Sequence, residues 1–110
     1  MSGTTKSGSE AGFRAAVRYL VGVTFSIVAH DPATGDLGIA VATKGPAVGT
    51  VVPYAWAGVG AIATQSSGDF AHGPRGIALL EQGIAPDDVI TALVSADDPL
   101  AAYRQLGVVD

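Results

Sequence analysis

Thr24 and Lys44 carry a hydroxyl and an ammonium, two side chains that can take part in covalent chemistry. A hydroxyl becomes a useful nucleophile only when a neighbouring group takes its proton. Whether the two residues meet depends on the segment between them. Asp31-Pro32-Ala33-Thr34-Gly35-Asp36 is turn chemistry: Pro presets φ, Asp closes an Asx-turn, and Gly accepts positive φ. A turn centred near Ala33 and Thr34 pairs positions whose numbers sum to about 67 or 68, which lays Thr24 beside Thr43 or Lys44. A slip of one residue would send Lys44 to the opposite face. On pattern alone, Thr24 is more often an ordinary β-former and Lys44 a solvated strand end.

Other candidates are weaker by themselves. Gln65, Ser66, Ser67 and Asp69 form a polar cluster just after a very apolar run, and such a cluster is also what a solvated loop looks like. His30 and His72 have Asp31 and Asp69 nearby, but two isolated His–Asp neighbours lack a third ligand at metal-binding spacing. His30 reads as a cap on the hairpin turn. Gly58-Val59-Gly60-Ala61-Ile62-Ala63 has the glycine spacing of a dinucleotide fingerprint. The fingerprint needs a helix to open at that point, and Ser66-Ser67-Gly68 arrives too soon for one. Those glycines are read instead as sites of close packing. No metal and no cofactor are expected.

The elements that position these residues follow from their patterns. Met1 to Glu10 is a polar Ser/Gly/Thr arm, and Ala11 to Leu20 suggests a short helix with Arg14 and Arg18 at helical spacing. Val23–His30 and Leu37–Thr43 read as a hairpin, the second strand apolar throughout and expected to be buried on both faces. Thr50–Trp56 reads as a third strand, placed at an edge or bulge by Pro53, and Val59–Gln65 as a fourth. Pro74 opens one helix, which Gly83 stops. Pro86 opens another, with Asp87 and Asp88 favourable at its positive end and Ile90, Leu93 and Val94 on one apolar face. Arg104–Val109 reads as a final strand. Strands, then helices, then a strand fit an α+β layered fold.

Composition narrows the function classes. The chain has 110 residues, with 48 % hydrophobic and 15 % charged side chains, which excludes a disordered charged tail. Six cations against ten carboxylates give a net charge of −4, and the cations are scattered, so no basic face is available to displace counterions from nucleic acid. The absence of cysteine removes disulfides, thiolate metal sites and Cys nucleophiles. Residues 45–68 contain no charge, but Gly49, Pro53, Gly58 and Gly60 interrupt the stretch, so it reads as two strands and a turn rather than a membrane span. No signal peptide is evident, because Arg14 and Arg18 break any apolar segment. A cytoplasmic location is expected.

Several stretches together resemble one bacterial family, the domain of unknown function 1028. They are Thr24-Phe25-Ser26-Ile27-Val28-Ala29, Asp31 to Gly35, Leu37 to Lys44, Ala47-Val48-Gly49, Ala57 to Ala61, Ala63-Thr64-Gln65, Gly73-Pro74-Arg75-Gly76 and Arg104-Gln105. The resemblance runs from Thr24 to Asp110. It implies an N-terminal-nucleophile (Ntn) hydrolase-like fold, a four-layer αββα sandwich that is incomplete in this chain, spanning about half the family's length. It also implies that Thr24 is the first residue of the mature protein and the nucleophile toward an amide carbonyl. The α-amine, with a reference pKa of about 7.7–8.0 that desolvation lowers, would then be the base. Lys44 would hold that amine's pKa down, and Gln65 or backbone N–H groups would serve the oxyanion.

Three departures from the family accompany the resemblance. Residues 1–23 precede Thr24 as a leader ahead of the domain at 24–110, so Val23–Thr24 is either cleaved or marks a mis-assigned start. Asp69 and His72 stand where Asn and Tyr are common, and with Gln65 they form the expected substrate-binding set. The missing half leaves an apolar face for a second copy or a complementary C-terminal half to cover. The function expected is hydrolysis of a small amide or peptide substrate. The alternatives are a non-catalytic binding or assembly module of the same fold, or an inactive fragment.

Overall fold

A computed structural model describes residues 24–66, 69–95 and 98–110, together with the backbone of two strands within residues 7–8 and 14–19. Strands β1 (Ser7–Gly8), β2 (Arg14–Tyr19), β3 (Thr24–Asp31), β4 (Asp36–Thr43), β5 (Pro53–Trp56), β6 (Gly60–Gln65) and β7 (Gln105–Val109) accompany helices α1 (His72–Glu81) and α2 (Pro86–Leu93). Single 3-10 turns at Val48–Thr50 and Ala101–Tyr103 link them. The strands form a three-stranded sheet, β2-β3-β4, and a four-stranded sheet, β1-β7-β6-β5. The chain is thus a small α+β fold with two sheets and two helices. No helix among the described residues is long and apolar enough to cross a membrane.

The hairpin forms as its turn residues require. Asp31 Oδ1 accepts the Ala33 N–H at 2.9 Å, and Thr34 Oγ1 accepts the Asp36 N–H at 3.2 Å. Gly35 takes φ of 80° and donates to the Asp31 carbonyl at 2.7 Å. The register is thereby set, with Thr24 opposite Thr43 and Asp31 opposite Asp36.

Alternation along each strand then sorts the side chains into layers. Val28 of β3, Ala61 and Ala63 of β6 and Val109 of β7 meet between the sheets, with Val52 and the inner side chains Leu37, Ile39 and Val41 of β4. Ile62, Leu106 and Val108 point the other way, onto Leu80 of α1 and Val89 and Leu93 of α2. The result is a sheet–sheet–helix stack. Small residues allow the close approach. A Cβ on Gly60 would run into the Val109 carbonyl and a Leu80 methyl, so this glycine serves packing, as the sequence suggested.

The helices follow their signals. Pro86 occupies the first turn of α2, with Asp87 and Asp88 beside it. Helix α1 begins at His72, two residues before Pro74, and Pro74 fits because a first-turn N–H has no intrahelical acceptor. Gly83, at φ 84°, ends that helix. Pro53 sits on edge strand β5 without loss. Val52 accepts from the Thr64 N–H, so antiparallel alternation aims Tyr54 toward β6 and the Pro53 nitrogen away from it.

Two expectations are corrected. The helix proposed for Ala11–Leu20 is replaced by a strand at Arg14–Tyr19, paired with β3 from Arg14–His30 to Tyr19–Phe25. A spacing of four, as between Arg14 and Arg18, satisfies a two-residue period as well as a helical one, so it could not decide. Secondly, β4 is not buried on both faces. Gly38, Ala40 and Ala42 are exposed, because no layer among the described residues covers the outer side of β2-β3-β4, where Phe25 is also 60 % exposed. The polar arm expected at residues 1–10 lies outside the described residues apart from Ser7–Gly8, which pair in parallel with Val108–Val109.

Candidate functional site

At one end of the inter-sheet layer the apolar core gives way to polar side chains. Alternation puts Thr24 and Ser26 on the same inner face of β3 as Val28. It also puts Gln65 in line with Ala61 and Ala63, and Gln105 in line with Val109. These polar groups are buried, Ser26 and Gln105 at 2 % exposure and Gln65 at 3 %, so each needs partners. The Ser26 hydroxyl donates to Gln65 Oε1 at 2.6 Å. Gln65 Nε2 donates to Gln105 Oε1 at 2.9 Å and to the Thr24 carbonyl at 3.2 Å. The Thr24 and Thr43 hydroxyls lie 2.8 Å apart. One glutamine amide thus ties three strands together and holds the backbone of Thr24.

Thr24 and Gln65 open onto a cavity of about 210 Å³ lined also by Val48, Val51, Val52, Thr64, Ser66 and Phe70. No charged side chain among the described residues lines it. Two non-glycine residues among the described residues have positive φ. Ser66, at 54°, is in the cavity wall, and Ala47, at 58°, precedes the turn that carries Val48. Backbone held in the left-handed region by non-glycine residues is costly, and it concentrates at functional sites.

The other sequence candidates fall elsewhere. The register gives Thr24 the hydroxyl of Thr43 as neighbour, while Lys44 lies one residue beyond β4 and is exposed. Asp69 opens α1: its Oδ1 accepts the Ala71 N–H at 2.9 Å and its carbonyl accepts the His72 N–H at 2.9 Å. His72 is buried at 3 % exposure. Its Nε2 lies 4.0 Å from Asp69 Oδ2, beyond hydrogen-bond distance, and its Nδ1 has no hydrogen-bond partner among the described residues. Burial pushes the His72 pKa down, Arg104 and Arg75 lower it further, and Asp69 and Asp98 oppose them. Arg104 forms an ion pair with Asp98, and those hydrogen bonds hold the Asp98 carboxyl below the usual carboxylate range. Neither Asp69 nor His72 lines the cavity of Thr24.

Ser26, Gln105 and the valines at 48, 51 and 52 were not read from the sequence as parts of the site. Ser26 was legible, because it stands two residues after Thr24 and therefore on its face. Gln105 was not, since nothing local places the last strand beside β6.

The fold and site define a two-sheet α+β protein with a small cavity at one end, bordered by a buried glutamine network. The chain belongs to the family of unknown function DUF1028, whose sequence pattern matches residues 24–110. The match begins at Thr24, the residue at the mouth of the cavity. Neither the proteins of curated function nor the solved structures include a match.

Proposed function

We propose that this chain carries the nucleophile of an Ntn-type amide hydrolase, with Thr24 Oγ1 in that role. One observation supports the reading above the rest. Thr24, where the family match starts, lines a cavity with its hydroxyl partnered by Thr43 and its carbonyl fixed by Gln65. Once its α-amine is free of Val23, that amine takes the Oγ1 proton and the oxygen adds to the substrate carbonyl. The departing amine leaves with the proton, and water then hydrolyses the Thr24 ester with the α-amine again as base. Both N–H groups of Gln65 are already donated, so Gln65 is a positioning residue here rather than an oxyanion donor. The valine walls and Phe70 suit an uncharged apolar acyl group. The sheet–sheet–helix stack is consistent with three layers of an αββα sandwich, in which the fourth would cover Phe25 and Ile27.

The exposed position of Lys44 favours a second reading, a non-catalytic binding module of the same fold. A chain beginning at Thr24, treated with a β-lactone acylating probe and mapped by mass spectrometry, separates the two. The hydrolase reading expects one adduct on the Thr24 peptide, retained in Thr24→Ser and lost in Thr24→Ala. A chain with a free Thr24 amine that takes no label supports the binding module.

A further inference from the structure

A second cavity lies away from Thr24, between edge strand β5 and helix α1. It measures about 530 Å³ and is lined by Pro53, Tyr54, Ala55, Trp56, Ile77 and Glu81, with Pro74 and Ala78 completing the helix side. The helix residues at 74, 77, 78 and 81 repeat at three and four, which is one face of a helix turned toward the strand. The volume falls in the range of small-molecule sites. Trp56 is 62 % exposed, although a large aromatic is normally covered. Among the described residues, Glu81 contributes the cleft's one charge and has no ion pair. It also ends α1, where no basic residue stands in the last turn, so its charge adds to the negative end of the helix dipole.

We infer that this cleft binds a small organic cation with an apolar body, its ammonium held between the Trp56 face and the Glu81 carboxylate. Aromatic faces and a carboxylate both attract a cation that sheds water easily. The apolar remainder of the cleft selects against a hydrated metal ion. A peptide strand added along β5 is disfavoured by the edge itself. Its outward positions are Pro53 and Ala55, and Pro53 has no N–H to donate. The site stands apart from Thr24, so the hydrolase reading can fail without affecting it.

Trp56 is the single tryptophan of the chain, so its fluorescence reports this cleft directly. Benzyltrimethylammonium is titrated into the full chain at constant ionic strength, alongside choline and its uncharged isostere 3,3-dimethylbutan-1-ol. Saturation by benzyltrimethylammonium with a Kd at or below about 1 mM is expected. Choline should bind about tenfold tighter than the alcohol. Glu81→Gln, an exposed change that leaves the fold intact, should weaken both cations about tenfold and leave the alcohol unchanged. Equal binding of choline and its isostere, no saturation in this range, or a Glu81→Gln variant that binds both cations as tightly would each overturn the assignment.

Discussion

Replacing Gln65 by leucine removes one amide and keeps a side chain of similar length. The Ser26 hydroxyl loses its acceptor, the Thr24 carbonyl loses a donor, and Gln105 Oε1 loses the Gln65 N–H. Ser26 and Gln105 are both at 2 % exposure, so water cannot replace what they lose. A buried polar group deprived of its partner costs about 1–3 kcal/mol. The orphaned Ser26 hydroxyl, at about 2 kcal/mol, and one lost hydrogen bond each at Gln105 and the Thr24 carbonyl, at about 1 kcal/mol apiece, offset by about 1 kcal/mol from the added apolar surface, give a net loss of about 3 kcal/mol. In urea, with m of about 1.5 kcal/mol per molar for a chain of this size, the midpoint should fall by about 2 M at unchanged m. The second arm of the experiment is Ser26→Ala combined with Gln65→Leu. Removing both partners leaves no orphaned hydroxyl, so the double variant should be less destabilised than the sum of the singles by about 1 kcal/mol or more. A Gln65→Leu midpoint within about 0.3 M of the parent, or strict additivity in the double variant, would refute the claim that this network holds the two sheets together.

Gly60→Ala should cost about 1–3 kcal/mol by overpacking against the Val109 carbonyl, while Gly38→Ala, which meets open space, should stay within about 0.5 kcal/mol; chemical denaturation compares the two. Val28→Ala, at 0 % exposure, should cost about 2 kcal/mol, against little change for a polar residue at the exposed Phe25. Because the pKa of His72 is lowered in the folded chain, its contribution is full above the unfolded value of about 6.5. It declines as pH falls below that, where the unfolded chain binds a proton that the folded one resists, and levels off below the folded pKa. Urea midpoints over a pH series should show this slope and lose it in His72→Gln.

The fold was legible wherever a local rule decided. The hairpin, to within one residue of register, came from Asp31-Pro32 and Gly35, and the α2 start from Pro86 with two aspartates. It was not legible where the local pattern is degenerate, as with Arg14 and Arg18, whose spacing fits two periods. Nor did an apolar run such as Leu37–Thr43 reveal how many layers lie against it, because burial depends on the rest of the fold. Within the site, the register arithmetic brought Thr24 to two candidates, and the pairing resolved them in favour of Thr43. Gln65 was read for its amide but not for its partners, since these arrive from strands about 40 residues away on either side.

Strand β7 is last in chain order yet sits inside its sheet, between β1 and β6, with all five residues buried. During synthesis, β6 must therefore wait with one side unpaired, and Val89 and Leu93 of α2 without Leu106 and Val108 against them, until residues 105–109 emerge. Closing this sheet joins segments that are far apart in sequence, which makes it a slow step. Until then the hairpin β3–β4, whose pairing is local, can form alone. In the interval the nascent chain exposes a sticky apolar strand edge, the kind of surface that chaperones bind.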